Sequence, residues 1–142
     1  MKKLLWICLF PVLLFSCKED VPQSEIDDKI IMDYLISTNL DTVAIKHSSG
    51  IYYTIDRKGT GEYIGSRTTV KVYYKGYYTD STLFDESGGT PIKFSLSGLY
   101  YGWQIGIPLF DKGSKGKLFL PSDYAARDGK VRIFEIDVLD FY

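Results

Sequence analysis

The run Leu99 to Phe110, LYYGWQIGIPLF, constrains this chain more than any other stretch. It is apolar, it lies between segments of strand periodicity, and it carries Gly102 and Gly106 four residues apart. Leu99, Trp103 and Ile107 recur at helical spacing, so the reading is a helix of two or three turns with these three on one face. Ser97 is placed to cap its start. Pro108 lacks an amide hydrogen and disfavours helix in the residue before it, so regular helix should end near Gly106 or Ile107. Two glycines on one side remove the side chains that would hold a neighbour off, and the helix is expected to lie closely on a sheet. A lone tryptophan on such a helix is ordinarily core.

The flanking segments alternate as strands do. Ile51, Tyr53 and Ile55 oppose Tyr52 and Thr54 in one; Val70, Val72 and Tyr74 oppose Lys71, Tyr73 and Lys75 in the next. Gly76 suggests a bulge or bend. Leu83 to Asp85 returns to apolar character after a polar turn, and Ile92, Phe94 and Leu96 alternate inward against Lys93 and Ser95. Leu118 and Leu120 face in before Pro121. The last strand runs from Val131 to Val138, with Phe134, Ile136 and Val138 on one face. Antiparallel strands with one short central helix make an α+β layer.

The amino-terminal part is different in kind. Lys2 and Lys3 precede the apolar run Leu4 to Phe15, which is too short to span a bilayer as a folded helix and has the shape of a secretory signal. The segment Leu14, Phe15, Ser16, Cys17 resembles the lipobox of bacterial lipoproteins, so residues 1–16 are expected to be a lipoprotein signal peptide and Cys17 the lipidated residue. Cys8 would leave with the signal, and one cysteine permits no internal disulfide. Acyl chains on Cys17 would anchor the domain to a membrane surface. Residues 17–48 read as a tether and a helix. Ser24 begins a capping pattern with Asp27, Ile26, Ile30, Ile31, Tyr34 and Leu35 make an apolar stripe, and Asn39 marks the end. Asp27, Asp28, Lys29 and Asp33 form the wet side. The stripe must bury on the following domain or on a partner.

Several functions are disfavoured at once. A formal net charge of -1 gives no electrostatic reason to expect nucleic acid. The only histidine, His47, lies in a polar linker and supports neither a nucleophile triad nor a zinc site; neither a metal nor a cofactor is expected. Gly59, Thr60 and Gly61 have the wrong spacing and setting for a dinucleotide loop, and a turn fits better. What remains is a convergence of inward residues. Tyr74, Phe84, Ile92, Phe94, Leu99, Trp103 and Phe134 could form a core or line an apolar pocket, with Tyr74 and Asp85 supplying its few polar atoms.

From Ser49 to Tyr142 the sequence resembles the FKBP-type peptidyl-prolyl isomerase family. The matching pieces are SGIYY, KGTG, VKVYYKGYYTDSTLFDES, PIKFSLSG, GWQIGIPLF, GKLFLPSDYA and VRIFEIDVL, in that order. The resemblance implies a twisted antiparallel half-barrel wrapped around one short helix over residues 49–142, with the amino-terminal helix as an addition. It implies pocket roles for Tyr74, Asp85, Trp103 and Phe134 as catalytic residues, and for Phe84, Ile92, Phe94, Leu99 and Tyr100 in substrate binding. In this family the Tyr100 amide would donate to the carbonyl before the bond. Two departures bear on activity: Ala126 stands where relatives carry a pocket tyrosine, and the loop from Arg127 to Lys130 is shorter than their flap.

The implied function is isomerisation of X–Pro bonds, without cofactor, in proline-containing segments of exported proteins. The domain would lie outside the cytoplasm, lipid-anchored in the cell envelope, with the outer membrane as the expected site. A homodimer through the amino-terminal helix is the expected assembly. A rival reading is a non-catalytic peptide-binding or chaperone module on the same scaffold. A third is a surface protein using exposed tyrosines such as Tyr73, Tyr77 and Tyr78 for carbohydrate or partner contact.

Overall fold

The computed structural model describes residues 20–65 and 67–142. The signal peptide expected over 1–16 and Cys17 lie outside the described residues. Seven antiparallel strands form one sheet: β1 (Ile45–Lys46), β2 (Tyr52–Arg57), β3 (Thr69–Tyr77), β4 (Leu83–Glu86), β5 (Ile92–Ser95), β6 (Lys115–Leu120) and β7 (Arg132–Phe141). Their order is β1-β2-β6-β7-β3-β4, and β5 pairs with β3 beside β4. Among the described residues two α-helices, α1 (Gln23–Ser37) and α2 (Tyr101–Gly106), pack on this sheet.

The inner face of the sheet carries Val70, Val72 and Tyr74 of β3, Leu118 and Leu120 of β6, and Phe134, Ile136 and Val138 of β7, all packed with Trp103, Ile107 and Phe110. Helix α2 is seated on it as the glycine spacing demands. A Cβ on Gly102 would stand 2.6 Å from Leu120 Cδ2, and one on Gly106 would stand 2.6 Å from Leu118 Cδ1. The helix is shorter than its periodicity suggests. Leu99 is extended rather than helical, Tyr100 is the flanking residue, and Ser97 lies in a preceding 3-10 turn (Leu96–Gly98) where its Oγ meets that of Ser95 at 3.0 Å, so it caps nothing. After Gly106 the chain tightens into a 3-10 turn (Ile107–Leu109), as Pro108 requires.

The outer face is covered by α1. Ile31 and Leu35 pack on Tyr52, Phe119, Val131 and Ile133, with Ile30, Tyr34, Leu40 and Tyr77 around them. The helix begins before Ser24, with Pro22 as the flanking residue and no side-chain cap. Its end follows the sequence. Asn39 takes φ 56, and the amides of Asn39 and Leu40 bond the carbonyls of Ile36 and Leu35 at 3.1 and 2.8 Å.

Asp27 is the main correction: it is fully buried, not solvated. Its carboxylate accepts hydrogen bonds from Gln23 Nε2 at 2.8 Å, the Ser122 amide at 2.8 Å and Ser122 Oγ at 2.6 Å, fastening α1 to the turn after β6. The expected linker also contains a strand, β1, which pairs with Tyr52 and Tyr53. The last strand runs three residues further than expected, to Phe141, in register with Val70.

Candidate functional site

The register of the central strands builds the site. Gly76 of β3 and Leu118 of β6 lie directly opposite Phe134 of β7. A Cβ at Gly76 would come within 2.9 Å of Phe134 and 2.7 Å of the Phe84 ring. The missing side chain therefore lets Phe84 and Phe134 meet edge to face, with ring centroids 5.6 Å apart.

Trp103 projects from α2 into this aromatic set. Its ring is edge-on to Phe134 at 5.2 Å, to Tyr74 at 5.6 Å and to Phe94 at 6.0 Å. Such tilted contacts fix ring orientation as well as burying area. Above Trp103 lies a cavity of about 320 Å³ lined by Tyr74, Asp85, Phe94, Gly98, Leu99, Tyr100, Trp103 and Phe134. That is at the small end of ligand pockets, which run from about 300 to 1,000 Å³.

Three polar features belong to residues that line it. Tyr74 donates its hydroxyl to Asp85 Oδ2 at 2.8 Å. Burial, then the adjacent Asp85 carboxylate, pushes the Tyr74 phenol up to about 12, so it remains a donor at neutral pH. Trp103 Nε1 is buried and has no hydrogen-bond partner among the described residues. The amide of Tyr100, just ahead of α2, is likewise without a partner among the described residues. Buried polar groups are normally paired, so free donors at one cavity mark a place where a ligand's acceptors would be accommodated.

Of the nine residues expected in the site, seven line the cavity. Phe84 stands behind, packed on Phe134 and on Tyr78 at 4.9 Å, and Ile92 packs into the surrounding core. Two residues escaped the sequence reading. Gly98 lines the cavity through backbone, for which a sequence carries little signal. Arg132 does carry one: it shares the inward parity of Phe134 and Ile136, where a charge is unusual. It is 5% exposed, its Nη1 and Nη2 each donate to Asp128 at 2.9 Å, and its guanidinium lies against Phe84 and Tyr100. The Arg132 guanidinium holds the Asp128 carboxyl well below the usual range.

The tyrosines expected at the surface are half-buried instead. Tyr77 donates to Glu135 at 3.0 Å beneath α1, and Tyr78 packs on Phe84.

The sequence profile described as FKBP-type peptidyl-prolyl cis-trans isomerase matches residues 61–138. The chain is 37% identical over 101 residues to the FKBP-type isomerase FkpA of Aeromonas hydrophila, covering 64% of this chain and 38% of that protein. It is 39% identical over 79 residues to outer membrane protein MIP of Legionella longbeachae, covering 54% and 34%. The chain thus spans less than half the length of these curated relatives. The crystal structure of FkpA from Escherichia coli superposes with a TM-score of 0.70 at 30% identity, over 83% of this chain and 59% of that one. A peptidyl-prolyl cis-trans isomerase from Pseudomonas syringae pv. tomato gives 0.69 at 26% identity, over 86% and 97%. A helix seated by two glycines on the sheet beneath it, and a profile match that spans residues 61–138, from the Gly61 turn into β7, lead to one assignment: the chain belongs to the FKBP-type peptidyl-prolyl cis-trans isomerase family.

Proposed function

We propose that this protein accelerates cis–trans isomerisation of X–Pro bonds in proteins that fold outside the cytoplasm. The observation that carries the reading is the cavity itself, with an aromatic floor lined by Trp103 and Tyr100, whose indole N–H and amide have no partner among the described residues. Rotation about the bond faces a resonance barrier of roughly 18–20 kcal/mol. No covalent step is needed, because twisting the amide localises its electrons and a site that binds the twisted form better than either planar isomer lowers the barrier. A proline ring over Trp103 would be held by apolar contact with Phe94, Leu99 and Phe134. The Tyr100 amide would donate to the carbonyl before the bond, and Tyr74 with Asp85 would orient the chain. About 4 kcal/mol of differential binding corresponds to roughly 1000-fold.

Residues 1–16 are proposed as a lipoprotein signal peptide, Cys17 as the lipidated residue, 17–48 as tether and helix, and 49–142 as the isomerase domain. The envelope location is supported by the charged and apolar pattern of the leader and by the name of the Legionella relative, an outer membrane protein. No helix among the described residues is long and apolar enough to cross a membrane. The homodimer expected through α1 would use the apolar side chains the helix leaves exposed, Ile26, Met32 and Ile36.

The short loop from Arg127 to Lys130 and Ala126 favour a second reading, peptide binding without turnover. One experiment separates the two. Exchange of short X–Pro peptides is measured by NMR with the purified full-length chain and with Trp103→Leu and Asp85→Ala, their folding checked by circular dichroism. Acceleration that falls at least about tenfold in the folded variants, some 1.4 kcal/mol of transition-state binding, supports the enzyme and its site. Binding without acceleration, across several residues before proline, leaves the module.

A further inference from the structure

Resting on the isomerase reading, we propose that Arg132 makes the site selective for an acidic side chain immediately before the proline. Arg132 opens β7 on the same face as Phe134 and is almost wholly buried. Its guanidinium carbon lies 5.6 Å from the Phe84 ring centre, 5.8 Å from that of Tyr100 and 5.6 Å from that of Tyr78. The end of the fork is taken. Nη1 and Nη2 each donate to Asp128 at 2.9 Å, and Nη1 also reaches the Lys130 carbonyl at 3.3 Å. The side edge is not: Nε–H is buried with no partner among the described residues, and the second hydrogen of Nη2 points the same way. Two parallel N–H donors in one plane are the geometry a carboxylate accepts bidentately, and an arginine can serve one carboxylate at its end and another at its side.

Charge agrees with this assignment. Lys130 and Arg132 face the same Tyr78 ring, two cations against the carboxylate of Asp128, while the cavity's own carboxylate, Asp85, is engaged by the Tyr74 hydroxyl. Position agrees as well. The Tyr100 amide is the free donor assigned to the carbonyl before the bond, and the Tyr100 ring lies over Arg132. Tyr100 lines the cavity and Arg132 lies behind its ring, so a side chain next to that carbonyl reaches Arg132 once the ring swings aside. Tyr100 is 38% exposed, and its hydroxyl makes no hydrogen bond among the described residues; it is the cover that a bound side chain displaces.

The test compares peptides identical except for glutamate or glutamine before the proline, using the full-length chain, Arg132→Met and Arg132→Lys. Glutamate should exceed glutamine about fivefold in kcat/KM at low salt, carried mainly by KM, because a charge-assisted bidentate pair outbinds a neutral acceptor. Added salt should shrink the ratio. Arg132→Met should bring it near one, and Arg132→Lys should fall between. A ratio near one in the unmutated chain overturns the proposal, and so does a ratio that persists in folded Arg132→Met. Because the unmutated comparison needs no variant, a misfolded Arg132→Met does not blunt it. If no peptide is turned over, the isomerase reading fails separately. Affinities of the same peptides, followed by tryptophan fluorescence, then decide: preference for glutamate sustains the selectivity of Arg132, and equal affinities end it.

Discussion

The two faces of the sheet bury their helices in opposite ways. On the outer face, α1 closes over Phe119, Tyr52 and Ile133, and its acidic residues find partners: Asp27 takes three donors, and Asp28 takes Lys46 at 2.6 Å and Tyr52 at 2.8 Å. On the inner face, α2 is drawn close by Gly102 and Gly106, yet a cavity and an indole N–H with no partner among the described residues remain. Apolar burial of the same kind thus does two jobs. The face whose buried carboxylate, Asp27, is satisfied stabilises the domain; the face with donors left over among the described residues is the one with something to bind.

If the faces are separate, damage to the outer one should appear in stability alone. Phe119→Ala removes a fully buried ring that meets Tyr34 at 6.1 Å. Urea unfolding should show a loss of about 3–5 kcal/mol, typical of large-to-small core changes. The kcat/KM of the folded variant should stay within about twofold, since no inner-face group is touched. A large fall in kcat/KM at temperatures where the variant is folded would break the comparison.

The inner face should behave in reverse. Tyr74→Phe keeps the ring and its contacts with Trp103 and Phe94 but deletes the hydroxyl that bonds Asp85. The expected cost in stability is about 1 kcal/mol, the net worth of one hydrogen bond, with about a fivefold loss in kcat/KM measured by peptide exchange. The phenol's raised pKa adds a pH signature. A group that holds its proton more tightly when folded contributes stability that is complete below its ordinary 10.0 and lost as pH rises towards about 12. The unmutated chain should therefore lose stability relative to Tyr74→Phe only in that alkaline window.

The inner face was also the more legible from sequence. Period-two alternation fixed which way Val70, Val72, Tyr74 and Phe134 point, and the glycine spacing predicted the seating of α2, because both follow from local geometry. Asp27 was misread for the same reason. Helical position suggests a solvated first turn, whereas its partners are the amide and hydroxyl of Ser122, distant in sequence and joined only by packing. Ser97 failed as a cap because the residues up to Leu99 form a separate turn. Arg132 could have been found, since inward parity beside Phe134 is a position where charge needs explaining.

The smallest effect sharpens the comparison most finely, because it isolates the polar seam of the outer face. Burial alone would raise the Asp28 carboxyl, but hydrogen bonds from Lys46 and Tyr52 and the Lys46 charge outweigh it and hold the group below its ordinary 3.8. A carboxylate with a lowered folded pKa contributes stability that is complete above 3.8 and lost as pH falls towards the lowered value. Asp28→Asn should therefore cost less than about 1 kcal/mol at neutral pH, since the pair is part-exposed and screened. It should also flatten the acid limb of a pH series of urea unfolding. Peptide exchange at neutral pH should not change. An unaltered acid limb would mean that α1 is held by Ile31, Leu35 and the buried Asp27 alone, and that charge on the outer face adds nothing to its closure.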